Sequence, residues 1–82
     1  MQQLRMTRLR YLRMIRGITQ EELGRAAGVT QPYLSQIDKG SYKPPRETLE
    51  RIAKALGYEG SPEDLIELVI FRPETTGTAV LR

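Results

Sequence analysis

Apolar residues recur along this chain in short helical stripes, each bracketed by a capping residue and a glycine or proline. Leu9, Leu12 and Ile15 repeat every three residues, which predicts a helix over 8–16 with Thr7 as N-cap and Gly17 as stop. Thr19 and Glu22 have the spacing of a capping box, in which hydroxyl and carboxylate each satisfy a backbone N–H near the other. A second helix is therefore expected over 20–27, ending at Gly28. Thr30 caps a third helix over 31–38, with Pro32 in its first turn, where a missing N–H costs nothing, and Gly40 beyond its end. Residues 40–45 read as a loop, because residues ahead of proline avoid the helical region. Leu49, Ile52, Ala53 and Leu56 share one face of a fourth helix over 46–56, stopped by Gly57. Ser61-Pro62-Glu63-Asp64 supplies a cap, a first-turn proline and two acids for a positive helix end, and so predicts a fifth helix from 61 to 71, before Pro73.

Five short helices joined by tight turns make a compact all-α five-helix domain. An 82-residue chain has room for one such domain. The expected layout is an N-terminal arm over 1–6, the domain over 7–72 and a C-terminal tail over 73–82. In that tail Thr78-Ala79-Val80-Leu81 suits either an interface strand or a frayed end. Helices this short do not persist alone and must be held by packing. The expected core is Leu9, Leu12, Ile15, Ile18, Leu23, Ala27, Val29, Leu34, Ile37, Leu49, Ile52, Ala53, Leu56 and Leu65.

Composition narrows the chemistry. There is no His, Cys or Trp. That excludes an imidazole or thiolate zinc site, a Cys nucleophile, a His general base and any disulfide. Of the acids Glu63, Asp64 and Glu67, helix-end electrostatics explains the first two and no His supports them, so neither an enzyme, a metal site nor a cofactor is expected. No apolar run reaches the ~18–20 residues of a membrane span, and no signal-peptide core is present, which reads as a cytoplasmic protein. The net charge of +3 conceals a division. Residues 1–46 carry nine basic and three acidic side chains, a net +6, whereas 47–82 carry four basic and seven acidic, a net −3. A basic first half suits a polyanion, and ten of the 13 basic residues are Arg, the better bidentate partner of phosphate and base.

The segment 20–39 meets the demands of a helix-turn-helix, two helices crossing steeply across a short turn. Gly24 is the small residue where the helices cross, Gly28 makes the turn, and Leu23, Val29, Leu34 and Ile37 point inward. This segment and its flanks resemble the phage-repressor (Xre/Cro-like) helix-turn-helix family over roughly residues 7–57. The resemblance rests on Leu12-Arg13, the stretches 17–23, 28–31 and 34–40, Lys43-Pro44-Pro45, and Leu49 through Gly57. It implies a lambda-repressor-like five-helix bundle that binds operator DNA as a two-fold dimer. Two positions depart from the family: Gly24 stands where Ala is usual, and Asp38 where Glu is more common.

In this motif the second of the two helices, here the third helix over 31–38, reads the major groove through its N-terminal residues. The outward candidates are Gln31, Pro32, Tyr33, Ser35 and Gln36. A Gln amide both donates to and accepts from adenine, so Gln31 and Gln36 are the leading base readers. Pro32 and Tyr33 offer apolar surface to a thymine methyl, and Ser35 suits base or phosphate. Gln20, at the positive end of its helix, suits a phosphate. The resemblance adds Lys39, Lys43 and Arg46 as phosphate ligands, with Tyr42 adding a hydroxyl. It also implies an Arg13–Asp38 pair that leaves Arg13 facing a phosphate.

Leu65, Leu68 and Val69 are expected to face the core, which leaves Ile66, Ile70 and Phe71 as an apolar patch. The resemblance makes that region the homodimer interface, with the two reading helices about 34–36 Å apart. The competing expectation buries the segment within one chain under the tail, Leu4 and Met6. The function expected is sequence-specific binding of double-stranded DNA as a transcriptional regulator, most simply a repressor on a palindromic operator. The alternatives are an antitoxin or protein-interaction module whose partner is held by helix five and the tail, and an accessory domain bridging other proteins to a promoter.

Overall fold

A computed structural model describes residues 4–71 of the chain. The elements run β1 (Leu4–Thr7), α1 (Arg8–Ile15), α2 (Gln20–Ala27), α3 (Gln31–Asp38), α4 (Arg46–Leu56), a 3₁₀ turn (Pro62–Ile66) and β2 (Leu68–Phe71). The first three helices begin on their threonines. Thr7, Thr19 and Thr30 each accept a backbone N–H three residues on, and at Thr19 both bonds of the capping box are present. Each bond satisfies an N–H that the helix itself leaves unpaired. The ends are equally regular. Gly28 adopts φ 76°, a left-handed conformation that a β-carbon disfavours, so that its N–H reaches Arg25 O and that of Val29 reaches Gly24 O. The same two-bond closure ends α1, α3 and α4.

The fifth helix is not there. Residues 62–66 form a 3₁₀ turn, and 68–71 pair antiparallel with β1, in the register Arg5↔Ile70, Met6↔Val69 and Thr7↔Leu68. Among the described residues there are therefore four α-helices and a two-stranded sheet rather than an all-α set of five helices. Glu67 is already extended (φ −77°, ψ 145°), and its carbonyl accepts the Arg8 N–H at 2.8 Å. The run Leu68-Val69-Ile70-Phe71 is rich in β-branched and aromatic residues, which suits a strand, and part of the expected N-terminal arm supplies its partner. Ser61 does not cap; its hydroxyl donates to Glu63 Oε1 at 2.9 Å. Strand alternation also moves Leu68 out of its expected core place: it is 62% exposed, while Leu65 is fully buried. The tail 73–82 lies outside the described residues.

Leu9, Leu23, Ala27, Leu34, Ile37, Leu49, Ile52, Ala53, Leu56 and Leu65 form one buried cluster, with Leu12, Ile18 and Val29 packed half-buried against it. Ile15 is the exception among the expected core residues, at 52% exposed. A step of three residues falls short of a full helical turn, so by Ile15 the stripe has drifted about 120° round from Leu9. Gly24 is where α2 meets the turn most closely. A β-carbon there would lie 2.9 Å from Val29 O.

Candidate nucleic-acid interface

The capped turn fixes α3 against α2, and the side chains at its two ends are then tied by hydrogen bonds. At the C-terminal end Asp38 is fully buried. Its Oδ1 accepts Arg13 Nε at 2.9 Å, and its Oδ2 accepts Arg13 Nη2 at 3.2 Å and Gln20 Nε2 at 3.1 Å. A buried carboxylate is costly unless it is paired and hydrogen-bonded, and here both conditions are met. The expected Arg13–Asp38 pair is thus present in bidentate form. The remaining Arg13 nitrogen, Nη1, donates to Ile18 O at 3.1 Å, and the side chain is 14% exposed, so Arg13 is directed inward.

At the N-terminal end of α3, Gln31 is exposed and its Nε2 donates to Gln20 Oε1 at 2.7 Å. One side chain, Gln20, thus connects the start of α2, the start of α3 and the buried acid at the end of α3. Of the other expected base readers, Pro32 and Gln36 are exposed and Ser35 is half-buried. Tyr33 turns sideways, packing half-buried against the core and against Tyr42, with ring centroids 5.5 Å apart and planes at 57°. Hydrogen bonding and charge interaction with Tyr33 hold the Tyr42 phenol above its ordinary pKa.

The expected phosphate ligands divide. Lys39 and Lys43 are exposed and enter no ion pair among the described residues, whereas the loop that carries them is pinned by buried Pro44. Arg46 is held by two carboxylates, Glu50 Oε2 at 3.1 Å and Glu63 Oε2 at 2.6 Å, and these raise its pKa, the Glu50 hydrogen bond foremost. Of the expected dimer residues, Ile70 is 62% exposed, Ile66 is half-buried against the core, and the side chain of Phe71 lies outside the described ones.

Several contacts are not evident in the sequence. Thr7 Oγ1 accepts the Arg10 N–H and donates to Asp38 O at 2.7 Å, and Arg10 Nε comes within 3.8 Å of Asp38 Oδ2. Arg16 Nη1 donates to Leu56 O at 2.9 Å and Arg51 Nε to Ala27 O at 3.2 Å, so these two arginines close helix ends. Local spacing carries no signal for such long-range pairs. The i,i+4 spacing of Arg46 and Glu50 does carry one, and it weighs against an unengaged Arg46.

The helix-turn-helix family matches residues 9–62. Among similar proteins, the HTH-type transcriptional regulator DdrOP3 of Deinococcus deserti is 37% identical over 73 residues, covering 89% of this chain and 55% of that protein. The uncharacterized HTH-type transcriptional regulator y4dJ of Sinorhizobium fredii is 39% identical over 64 residues, 78% of this chain and 77% of that protein. The immunity repressor protein of Bacillus phage phi105 is 37% identical over 54 residues, 66% of this chain and 38% of that protein. The chain thus spans about half of the Deinococcus protein and less of the phage one. No solved structure matches it. Among the described residues no helix is long and apolar enough to cross a membrane.

Proposed function

The chain belongs to the helix-turn-helix family of Xre/Cro-like regulators, and from that premise we propose that it is a cytoplasmic, sequence-specific DNA-binding repressor. One observation carries this reading: the exposed amide of Gln31 opens α3 and is bonded to Gln20, which opens α2. A base reader is thereby coupled to a helix end suited to a phosphate. In this reading α3 enters the major groove. Gln31 and Gln36 read base edges, Pro32 and Tyr33 meet a thymine methyl, and Ser35 bonds base or phosphate. Gln20, Lys39, Lys43 and Tyr42 hold the backbone. Arg46 joins them by exchanging a carboxylate for a phosphate, and Arg13 contributes by holding Asp38. The name of the phage relative, an immunity repressor, favours repression over activation.

The active form in this reading is a homodimer on a palindromic site. Leu68 and Ile70 lie two apart on β2 and are each 62% exposed, an apolar pair that a second copy would cover. In this reading Ile70 is an interface residue and Leu68 joins it, while Ile66 packs half-buried against the core. Selecting bound duplexes from a random pool tests the whole reading. The expected result is an enriched palindrome with half-site centres about 10–10.5 base pairs apart. A bound pool no different from the input would overturn it.

A further inference from the structure

In recognition as described so far, the buried acid at the end of α3 serves only as the group that Arg13 holds. We propose that Asp38 is a specificity-determining positioning residue that acts through Gln20 to make Gln31 select adenine over guanine. This rests on Gln31 being a base reader.

A carboxylate only accepts hydrogen bonds. Asp38 therefore obliges Gln20 to turn its NH₂ end inward, where Nε2 meets Oδ2 at 3.1 Å. That leaves Gln20 Oε1 facing outward, again as an acceptor only. Gln31 must then meet it with its own NH₂ end, and does so at 2.7 Å. Reversing Gln20 would set its carbonyl oxygen against the carboxylate and sacrifice a charge-assisted bond. Reversing Gln31 alone would set two carbonyl oxygens together. Asp38 does not move to accommodate either reversal. Both its oxygens are held by Arg13, and its backbone carbonyl accepts Thr7 Oγ1 at 2.7 Å.

The relay determines what Gln31 has left for DNA. One N–H is engaged by Gln20, so one N–H and the whole of Oε1 remain. Adenine presents N7 as acceptor and N6–H as donor, which that pair of groups matches. Guanine presents two acceptors, N7 and O6, and needs two donors. Held by the relay, Gln31 has only one donor to give. Released from it, the NH₂ group offers both hydrogens and guanine becomes acceptable.

The test uses the full chain and duplexes selected from a random pool, with the adenine-to-guanine ratio read at the column that vanishes in Gln31→Ala. In the wild type that ratio is expected to be roughly 5–150-fold, the worth of one good bidentate pair. Asp38→Asn is expected to lower it at least about threefold while other columns hold, because an asparagine amide can meet either end of Gln20. Adding Gln20→Glu should restore adenine, since a glutamate presents an acceptor without help from Asp38. A merely structural role for Asp38 would weaken binding to all sequences alike, and that outcome, with the ratio intact, overturns the proposal. Should Asp38→Asn not fold, Gln20→Met carries the test, since it leaves the Arg13–Asp38 pair in place. A fallen ratio supports the relay and an unchanged one overturns it. A wild-type pool with no Gln31-dependent column overturns the base-reading role itself, which is a separate failure.

Discussion

At Gly24 residue chemistry and context point in opposite directions. Alanine is intrinsically better in a helix by roughly 0.5–1 kcal/mol. A β-carbon at this position, however, would lie 2.9 Å from the Val29 carbonyl oxygen, and backbone does not yield as a side chain would. Gly24→Ala should therefore destabilise, by about 1 kcal/mol or more, and lower Tm by roughly 4–8 °C per kcal/mol. A higher Tm in the alanine variant would show that the turn relaxes. Gln31→Ala is the corresponding functional substitution: it should relax preference at one base pair per half-site, worth about 1–3 kcal/mol, whereas equal loss on every sequence would mean that Gln31 only holds the backbone. At this scale the sequence is informative wherever the partner is near in the chain. Thr19 and Glu22 declare their capping box. The Gln20–Gln31 and Thr7–Asp38 bonds span turns whose geometry the residues alone do not specify, and they are not legible.

Four helices can be read to within a residue because each has its own cap, stripe and glycine stop. The element between 61 and 71 cannot. Ser61-Pro62-Glu63-Asp64 has the composition of a helix start, but the start is used for a single 3₁₀ turn. What decides the matter is distant, since β1 contributes the ladder that makes 68–71 a strand. Thr7 joins these parts, ending β1, capping α1 and bonding the last carbonyl of α3. Thr7→Val keeps its shape and leaves those groups unpaired in a buried place, so a loss of about 1–3 kcal/mol in denaturant unfolding is expected. An unchanged midpoint would mean that water replaces both bonds. Glu63 ties α4 to the 3₁₀ turn through Arg46. Its pKa is lowered, first by the Ser61 hydroxyl and further by Arg46. A depressed carboxylate stabilises the fold above its unfolded pKa, and that contribution is lost as pH falls through the folded one. Glu63→Gln should accordingly unfold with a slightly shallower loss of stability between neutral and acid pH. An unaltered acid limb would assign no role to this contact.

Over the whole molecule the charge division acquires a physical meaning. The basic half carries α2, α3 and the lysines of the following loop, and the acidic half carries α4, the 3₁₀ turn and β2. If a dimer neutralises about six phosphates, log K should fall with log salt at a slope near −5. A flat response would leave no polyanion for the basic half to bind. Association is a separate matter. Ile70→Lys or Leu68→Lys should halve the sedimentation mass and weaken binding to a palindrome far more than to one half-site. A wild-type mass of one chain at high micromolar concentration would already contradict the dimer. The most direct measurement concerns recognition by α3. It is the affinity ratio between a selected duplex and its scrambled counterpart, for wild type and for Gln31→Ala at one salt concentration. The ratio should be large in the wild type, on the order of 10³ or more, and should fall about 5–150-fold in the variant for each half-site read. A ratio near one in the wild type, or one that Gln31→Ala leaves unchanged, would contradict sequence reading by this helix.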